Sequence, residues 1–240
     1  MRHFLGLLGI FKNESQIIGE WIEHYLWQGV DHFYLIDNGS DDGYKDILRP
    51  YIDKRLVTLY HMPGDAMQII HYNEVLRIIR DQMRWLLICD IDEYMFGVQE
   101  PLDSYLRGLP ETVEQVLSSW LIFGTNGFKE VPTSLRSSLI YRSEEKYPWT
   151  KAIVRPECID RLKIHAHISK NAQYHIIVEN NDIHLNHYRL VSRDYYDKIK
   201  SIRGLSTSCD EPKSSFFFDK YDRNEYKDLL LSNLLKYGYK

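Results

Sequence analysis

The residues best suited to chemistry are Asp90-Ile91-Asp92-Glu93, directly after the apolar run Trp85-Leu86-Leu87-Ile88-Cys89. Two carboxylates at i and i+2 beyond a strand's carboxyl end offer hard oxygen ligands for a divalent cation. Mg²⁺ or Mn²⁺ suits such a set, with the phosphates of a ligand completing the shell. The plain alternative is a solvated acidic turn. Asp37, in Tyr34-Leu35-Ile36-Asp37-Asn38, is a second acidic strand end. A carboxylate there can accept from a ribose or a base edge, or cap the next helix as an Asx turn. Glu14 closes the first apolar run in the same way, where an acid also suits a helix dipole, and N-capping accounts for Asn13.

Other polar residues admit two readings each. His165-Ala166-His167 sets two imidazoles on one face of a strand. With His184 and His187 they raise a zinc cluster as a rival, against which stands the lack of a cysteine partner or a characteristic ligand spacing. Lys151 and Arg155 suit a phosphate or an acidic acceptor, or simply a solvated strand face. Trp120 and Trp149 offer flat faces either to a sugar or to the core.

These residues need elements to position them, and the first ninety residues supply a regular alternation. Strands are predicted over Phe4–Phe11, His32–Asp37, Leu56–His61 and Arg84–Asp90. The intervening stretches carry helical spacing, as in Ile17, Ile18, Trp21, Ile22, Tyr25 and Leu26, with Gly29 as a stop. Asp65 is placed to cap a helix running to about Met83. Such alternation implies a mostly parallel sheet whose ligands bind beyond the strands' carboxyl ends. The second half is less regular. Short strands are expected at Ser118–Phe123, Leu139–Arg142, Ala152–Arg155, Ile164–Ile168 and His175–Val178. Helices are expected over Arg193–Arg203, ended by Gly204, and over Asn224–Lys236, with Tyr226, Leu229, Leu230 and Leu234 on one side. Glu211–Phe218 reads as a loop or a closing segment.

Composition bounds the function. The chain has 240 residues, 30 Lys+Arg against 34 Asp+Glu and a net charge of −4. No run of five or more basic residues occurs, which argues against a nucleic-acid partner. Three cysteines, Cys89, Cys158 and Cys209, with no CxxC spacing, speak against a disulfide scaffold and for a reducing compartment. Phe4–Phe11 is too short to span a bilayer and lacks signal-peptide flanks. A soluble, cytoplasmic chain is expected, with peripheral membrane association as the alternative. The 18 Tyr, 9 Phe and 5 Trp suit sugars, bases or a large core.

The ordered motifs carry a resemblance. Phe11-Lys12-Asn13-Glu14, Glu20-Trp21-Ile22-Glu23-His24-Tyr25, Gly29-Val30 and Ile36-Asp37-Asn38-Gly39-Ser40-Asp41-Asp42 are followed by Gln68 with Tyr72-Asn73. Asp90-Ile91-Asp92-Glu93-Tyr94, Trp120 with Phe123-Gly124-Thr125-Asn126-Gly127, Lys151-Ala152-Ile153-Val154-Arg155-Pro156, Asn186-His187-Tyr188 and Arg203-Gly204 complete the order. Together these resemble glycosyltransferase family 92 and its family-2-like relatives, over about residues 3–236. Phe128 departs from the pattern, since related sequences often carry His there.

The resemblance implies an α/β fold of the GT-A type, a Rossmann-like three-layer α/β/α domain with a central mixed, mainly parallel sheet. It implies one domain over 1–240, with a donor half in 1–95, an acceptor half in 96–204 and a helical segment in 205–240 that packs back, lids the acceptor or mediates a homodimer. The implied activity is metal-dependent, inverting transfer from a nucleotide-sugar, usually a UDP-sugar, to a glycan or other hydroxyl acceptor. Donor contacts fall on Lys12, Asn13, Glu14, Asp37, Asn38, Gln68, Asn73, Asp90, Ile91 and Asp92. The metal ligands are Asp90, Asp92 and His187, for Mn²⁺ or Mg²⁺, and the acceptor contacts are Trp120, Asn126, Lys151 and Arg155. An inverting enzyme needs a carboxylate base, for which Asp182, Glu130 and Glu93 stand open. Two other classes remain as rivals: a two-metal phosphoester hydrolase using the acidic pair and the histidines, and a catalytically silent carbohydrate-binding protein on the same fold.

Overall fold

The computed structural model describes residues 3–170, 175–178, 181–203 and 214–239. The first part follows the predicted alternation: β1 (His3–Phe11), α1 (Ser15–Trp27), β2 (His32–Asp37), α2 (Tyr44–Asp53), β3 (Val57–His61), α3 (Gln68–Ile79) and β4 (Met83–Ile88). Then come β5 (Glu93–Gly97), α4 (Leu102–Gly108), β6 (Val113–Ile122), α5 (Leu135–Ser138), β7 (Tyr141–Arg142) and β8 (Thr150–Val154). The chain continues through β9 (Ile159–Arg161), β10 (Ile168–Ser169), β11 (His175–Val178) and β12 (Ile183–His187). α6 (Arg193–Tyr195) widens into a π turn over Tyr196–Lys200, and α7 (Ser215–Tyr221), β13 (Tyr226–Lys227) and α8 (Leu230–Tyr237) follow.

One mixed sheet organises these elements, in the order β3-β2-β1-β4-β8-β6-β12-β5, with β11 also on β6. β1, β2, β3 and β4 pair in parallel, and β11 and β12 run parallel to β6. β8 lies antiparallel between β4 and β6, and β5 antiparallel to β12. The sheet is therefore mostly parallel with two reversed strands, and it joins residues 1–95 to the rest.

Side-chain alternation gives the sheet a core on each face. Leu5, Leu7 and Phe11 of β1 pack with Ile17, Ile18, Trp21 and Tyr25 of α1. Leu8 turns the other way, to Tyr72, Val75, Leu76 and Ile79 of α3. That period of two, buried on both faces, explains the unbroken apolar run. Gly29 ends α1 as expected: its φ is +84°, and an added Cβ would meet Asp103 at 2.3 Å. The amide of Val30 donates to Tyr25 O at 2.9 Å and closes the helix end.

Several expectations shift. α3 starts at Gln68 rather than Asp65, and β4 begins at Met83. Only Ile168 of the strand expected over Ile164–Ile168 pairs, with Arg161. The expected helix over Asn224–Lys236 begins at Leu230, because Tyr226 and Lys227 pair with β7 and Asp228 Oδ1 accepts from the Leu230 amide. Tyr226 and Leu229 are accordingly exposed rather than on a helix core face. Ser214 caps a helix inside the segment expected as a loop, by accepting from the Phe217 amide at 3.4 Å. Gly204, Cys209 and residues 211–213 lie outside the described residues. Among the described residues no helix is long and apolar enough to cross a membrane.

His24 and His167 are buried within this frame. Burial pushes each down to about 3. The unfolded chain binds protons near 6.5 where the folded one does not, so their contribution is present above that pH and is lost as pH falls toward 3. Each adds a slope of up to about 1.4 kcal/mol per pH unit in that window. Urea midpoints should therefore fall between pH 7.5 and 5.0, and the drop should be smaller in His24→Asn.

Candidate active site

The site gathers along one edge of the sheet. The carboxyl ends of β1, β2, β4, β6 and β12 point there, together with the amino ends of β5 and β8. The acidic turn after β4 is held from below by α1. Trp21 Nε1 donates to the carbonyls of Asp90 at 2.9 Å and Glu93 at 3.1 Å, and Tyr25 OH donates to Glu93 O at 3.0 Å. Glu93 folds back so that its Oε2 accepts from the Asp90 amide at 2.9 Å.

Each member of the acidic pair faces a lysine. Lys151 Nζ donates to Asp90 Oδ2 at 2.7 Å and lies 3.3 Å from Glu93 Oε2. Gln68 Nε2 donates to Asp90 Oδ1 at 3.0 Å, and Tyr72 OH approaches the same oxygen at 3.3 Å. Lys200 Nζ donates to Asp92 Oδ2 and, at 2.7 Å, to Arg189 O. His187 Nε2 stands 3.4 Å from that same Asp92 oxygen. Burial pushes the Asp92 carboxyl up, but Lys200 and then His187 outweigh it and hold Asp92 well below the carboxylate range. Burial lowers His187 to about 4 despite Asp92. Burial lifts Glu93 to about 8 against the pull of Lys151. For Lys151 burial works downward, yet Asp90 and Glu93 leave it well above the usual range.

The neighbouring loops form the rest of the edge. Asp37 is buried and accepts from the Ser40 amide at 2.7 Å, Tyr44 OH at 2.9 Å and His61 Nδ1 at 2.7 Å. Burial would raise its carboxyl, but these hydrogen bonds, Ser40's foremost, bring it below the ordinary value. Asn13, at φ +57°, donates its amide to Ser40 Oγ at 3.0 Å and accepts from the Asp41 amide at 2.9 Å. Asn38 Oδ1 accepts from the Gly64 amide at 2.7 Å. Glu14 is buried, accepts from Tyr195 OH and pairs with Arg203, which also reaches Lys12 O at 3.4 Å. Residues 193–203 thus strap across the ends of β1 and β4 through two ion pairs, Arg203–Glu14 and Lys200–Asp92.

The structure brings Lys12, Asn13, Glu14, Asp37, Asn38, Gln68, Asp90, Asp92, Trp120, Lys151 and His187 to this edge, whereas several other predicted residues lie away from it. Asn73 clamps the backbone of Leu162 by two hydrogen bonds, and Ile91 is a core residue. Arg155 sits four residues beyond Lys151, about 13 Å along β8. It donates to Val113 O and packs on Trp85 at 4.2 Å, away from the site edge. Lys151 likewise serves Asp90 and Glu93 rather than an acceptor. Asn126 ties its loop to the start of β7, with Oδ1 accepting from the amides of Ile140 and Tyr141. Asp182 precedes β12 by one residue, about 17 Å along the strand from His187. Glu93 is fully buried, whereas Glu130 is exposed on the loop that leaves β6 at the site edge. His165 hydrogen-bonds Thr150 O and His167 takes the Lys163 amide, so these histidines serve separate partners.

Comparison with known proteins adds the decisive observation. The family model for glycosyltransferase family 92 matches residues 8–229. The chain belongs to glycosyltransferase family 92. A family-92 protein of Ricinus communis is 24% identical over 81% of this chain and 36% of its own length. A galactan β-1,4-galactosyltransferase of Arabidopsis thaliana is 27% identical over 66% of this chain and 35% of its own. This family-92 chain therefore spans about a third of the length of those curated relatives. Among solved structures, Staphylococcus aureus TarS in complex with UDP aligns at a TM-score of 0.48 and 15% identity, covering 81% of this chain and 62% of that one.

The family resemblance implies a metal, and the donor set does not match one. Among the described residues no three His, Cys, Asp or Glu side chains converge to hold an ion. One oxygen of each carboxylate is held by an ammonium group, Asp90 Oδ2 by Lys151 and Asp92 Oδ2 by Lys200, and Asp90 Oδ1 takes Gln68. As placed, the set does not fit Mn²⁺ or Mg²⁺, and the histidines make no zinc or two-metal centre. Lys200 and Tyr195 are the residues at this edge that sequence reasoning missed. One lysine in a helix with Lys198 beside it carries no signal of its own, and only the partner across the sheet distinguishes it.

Removing one member of a buried charge set leaves the others uncompensated. Lys151→Met should cost about 3–5 kcal/mol in urea unfolding. Combining it with Asp90→Asn and Glu93→Gln should restore most of that loss.

Proposed function

We propose that this chain transfers a hexosyl group from a nucleoside-diphosphate sugar, of the UDP class, to a hydroxyl of a glycan. The observation that carries the reading is family membership over residues 8–229, joined to the convergence of Asp37, Asp90, Asp92 and Lys200 at one strand edge. The galactosyltransferase relative makes UDP-galactose the first donor to test.

The chemistry follows from the charges. Asp37, stripped of its proton and held by three donors, is the acceptor group suited to a ribose or base edge. Cleavage of the sugar–phosphate bond leaves a diphosphate whose growing charge needs positive partners already in place. Lys200 and Arg203, fixed on the strap by Asp92 and Glu14, supply them. Direct transfer with inversion requires a base on the acceptor side. Glu130 is the candidate taken for that base, being exposed on the loop that follows the carboxyl end of β6, whereas Glu93 is fully buried and Asp182 lies at the far end of β12.

The purified chain, incubated with UDP-galactose and other nucleotide-sugars, should show donor turnover. Asp92→Asn and Lys200→Met should reduce it about 10- to 100-fold, with partial return in Lys200→Arg. No response to any donor sinks the reading. Glu130→Gln should lower kcat about 10²- to 10⁴-fold with donor KM kept, and an unchanged kcat would remove Glu130 from the base role.

A further inference from the structure

An aromatic ladder leads from the surface down to Asp92. Its outermost rung is Trp149, 53% exposed, just before β8. The Trp149 ring stacks on His165 with centroids 4.7 Å apart and planes at 25°. His165 meets the edge of Trp120 at 5.5 Å, and Trp120 meets His187 at 4.5 Å. His187 Nε2 completes the descent, 3.4 Å from Asp92 Oδ2. Exposure falls along the ladder, since Trp120 and His187 are 8% and 4% exposed.

The outer rungs are rigid. Trp149 O accepts from the Trp120 amide at 2.9 Å, and Thr150 pairs with Ser119, so the tryptophan stands on sheet backbone. His165 Nδ1 donates to Thr150 O at 2.8 Å, which fixes the ring plane and leaves Nε2 as an acceptor in the neutral imidazole. Burial favours that neutral form. An exposed indole with one face covered keeps its other face bare, at a cost in hydration that burial elsewhere would have avoided. A flat apolar face beside a hydroxyl-accepting nitrogen matches one chemical class closely: a pyranose ring, with apolar C–H faces and a rim of hydroxyls.

We infer that Trp149 and His165 form an acceptor subsite that takes a pyranose ring on the indole face and one of its hydroxyls on His165. The inference rests on the glycosyl-transfer reading for its place in the reaction, while the sugar-binding step stands by itself. The ladder's continuity with Asp92 assigns the subsite to the acceptor that approaches the site, not to a remote lectin-like patch. Trp120 acts from beneath as a positioning residue, because it touches both His165 and His187.

Two measurements test this. In transfer assays with UDP-galactose and β-1,4-galacto- or cello-oligosaccharide acceptors, Trp149→Ala should raise acceptor KM about three- to tenfold. Donor KM should stay within about twofold, and Trp149→Phe should restore most of the acceptor KM, since a flat ring suffices. An acceptor KM unchanged in Trp149→Ala overturns the subsite. In the second measurement the same oligosaccharides are titrated without donor while tryptophan emission is followed. A saturable change that vanishes in Trp149→Ala supports the subsite even if no donor is ever turned over, which separates its fate from that of the transfer reading. The same change persisting in Trp149→Ala, or no change with any of these saccharides, overturns it.

Discussion

Everything at the strand edge depends on how buried negative charge is neutralised. Asp90, Asp92, Glu93 and Glu14 crowd one end of a sheet whose interior offers little solvent to screen them. Isolated carboxylates in that position would be forced to take up protons or move apart. Lys200 descends from the strap and holds Asp92 ionised, Lys151 rises from the sheet to pair with Asp90, and Arg203 pairs with Glu14, while burial still lifts Glu93 to about 8. β8, paired between β4 and β6, is the strand that brings Lys151 to Asp90 and Glu93.

The strap answers the same demand from above. Its two ion pairs join a carboxyl-terminal segment to the ends of the first and fourth strands, more than a hundred residues earlier in the chain. Ser192 starts the segment as an N-cap, and the π turn then rotates Lys200 toward the sheet rather than to solvent. The local irregularity and the long-range ion pair thus belong to one arrangement, as π turns frequently do at functional sites.

Sequence patterning read β1, β2 and β4 well because their runs are largely buried on both faces, while β3, an edge strand with only Val57 buried, was marked by the turn residues that bound it. Asp37 and Asp90 were legible because a carboxylate at the carboxyl end of a mainly apolar strand has to stand at the rim of the sheet, where ligands bind. β5 escaped notice because Glu93 opens it, so the strand begins inside the acidic motif rather than after it. The strand expected at Ile164–Ile168 failed because His165 and His167 each found a backbone partner outside any ladder. Lys151 and Arg155 looked alike as exposed cations on one strand, yet both are buried, and four residues of rise put them at opposite edges of the sheet. Pairing across the sheet decides such cases, and no linear pattern encodes it. The tyrosines divide along the same line: Tyr25 and Tyr195 have hydroxyls that tie structure together, which composition alone could not separate from sugar contacts.

The reversed direction of β8 has a consequence for how the edge is assembled. A parallel strand delivers its last residues to the site, followed by a loop that must lead on into a helix. β8 delivers its first residues, so the stretch 143–149 arrives from outside and meets the edge before any regular structure begins. That stretch is tied to β6 at Ser143, Tyr147 and Trp149, while the ladder with β4 and β6 keeps Lys151 in register. The stretch that enters the edge and the ion pairs beneath it therefore come from different parts of the chain, 143–149 for the first and β8 with the strap for the second.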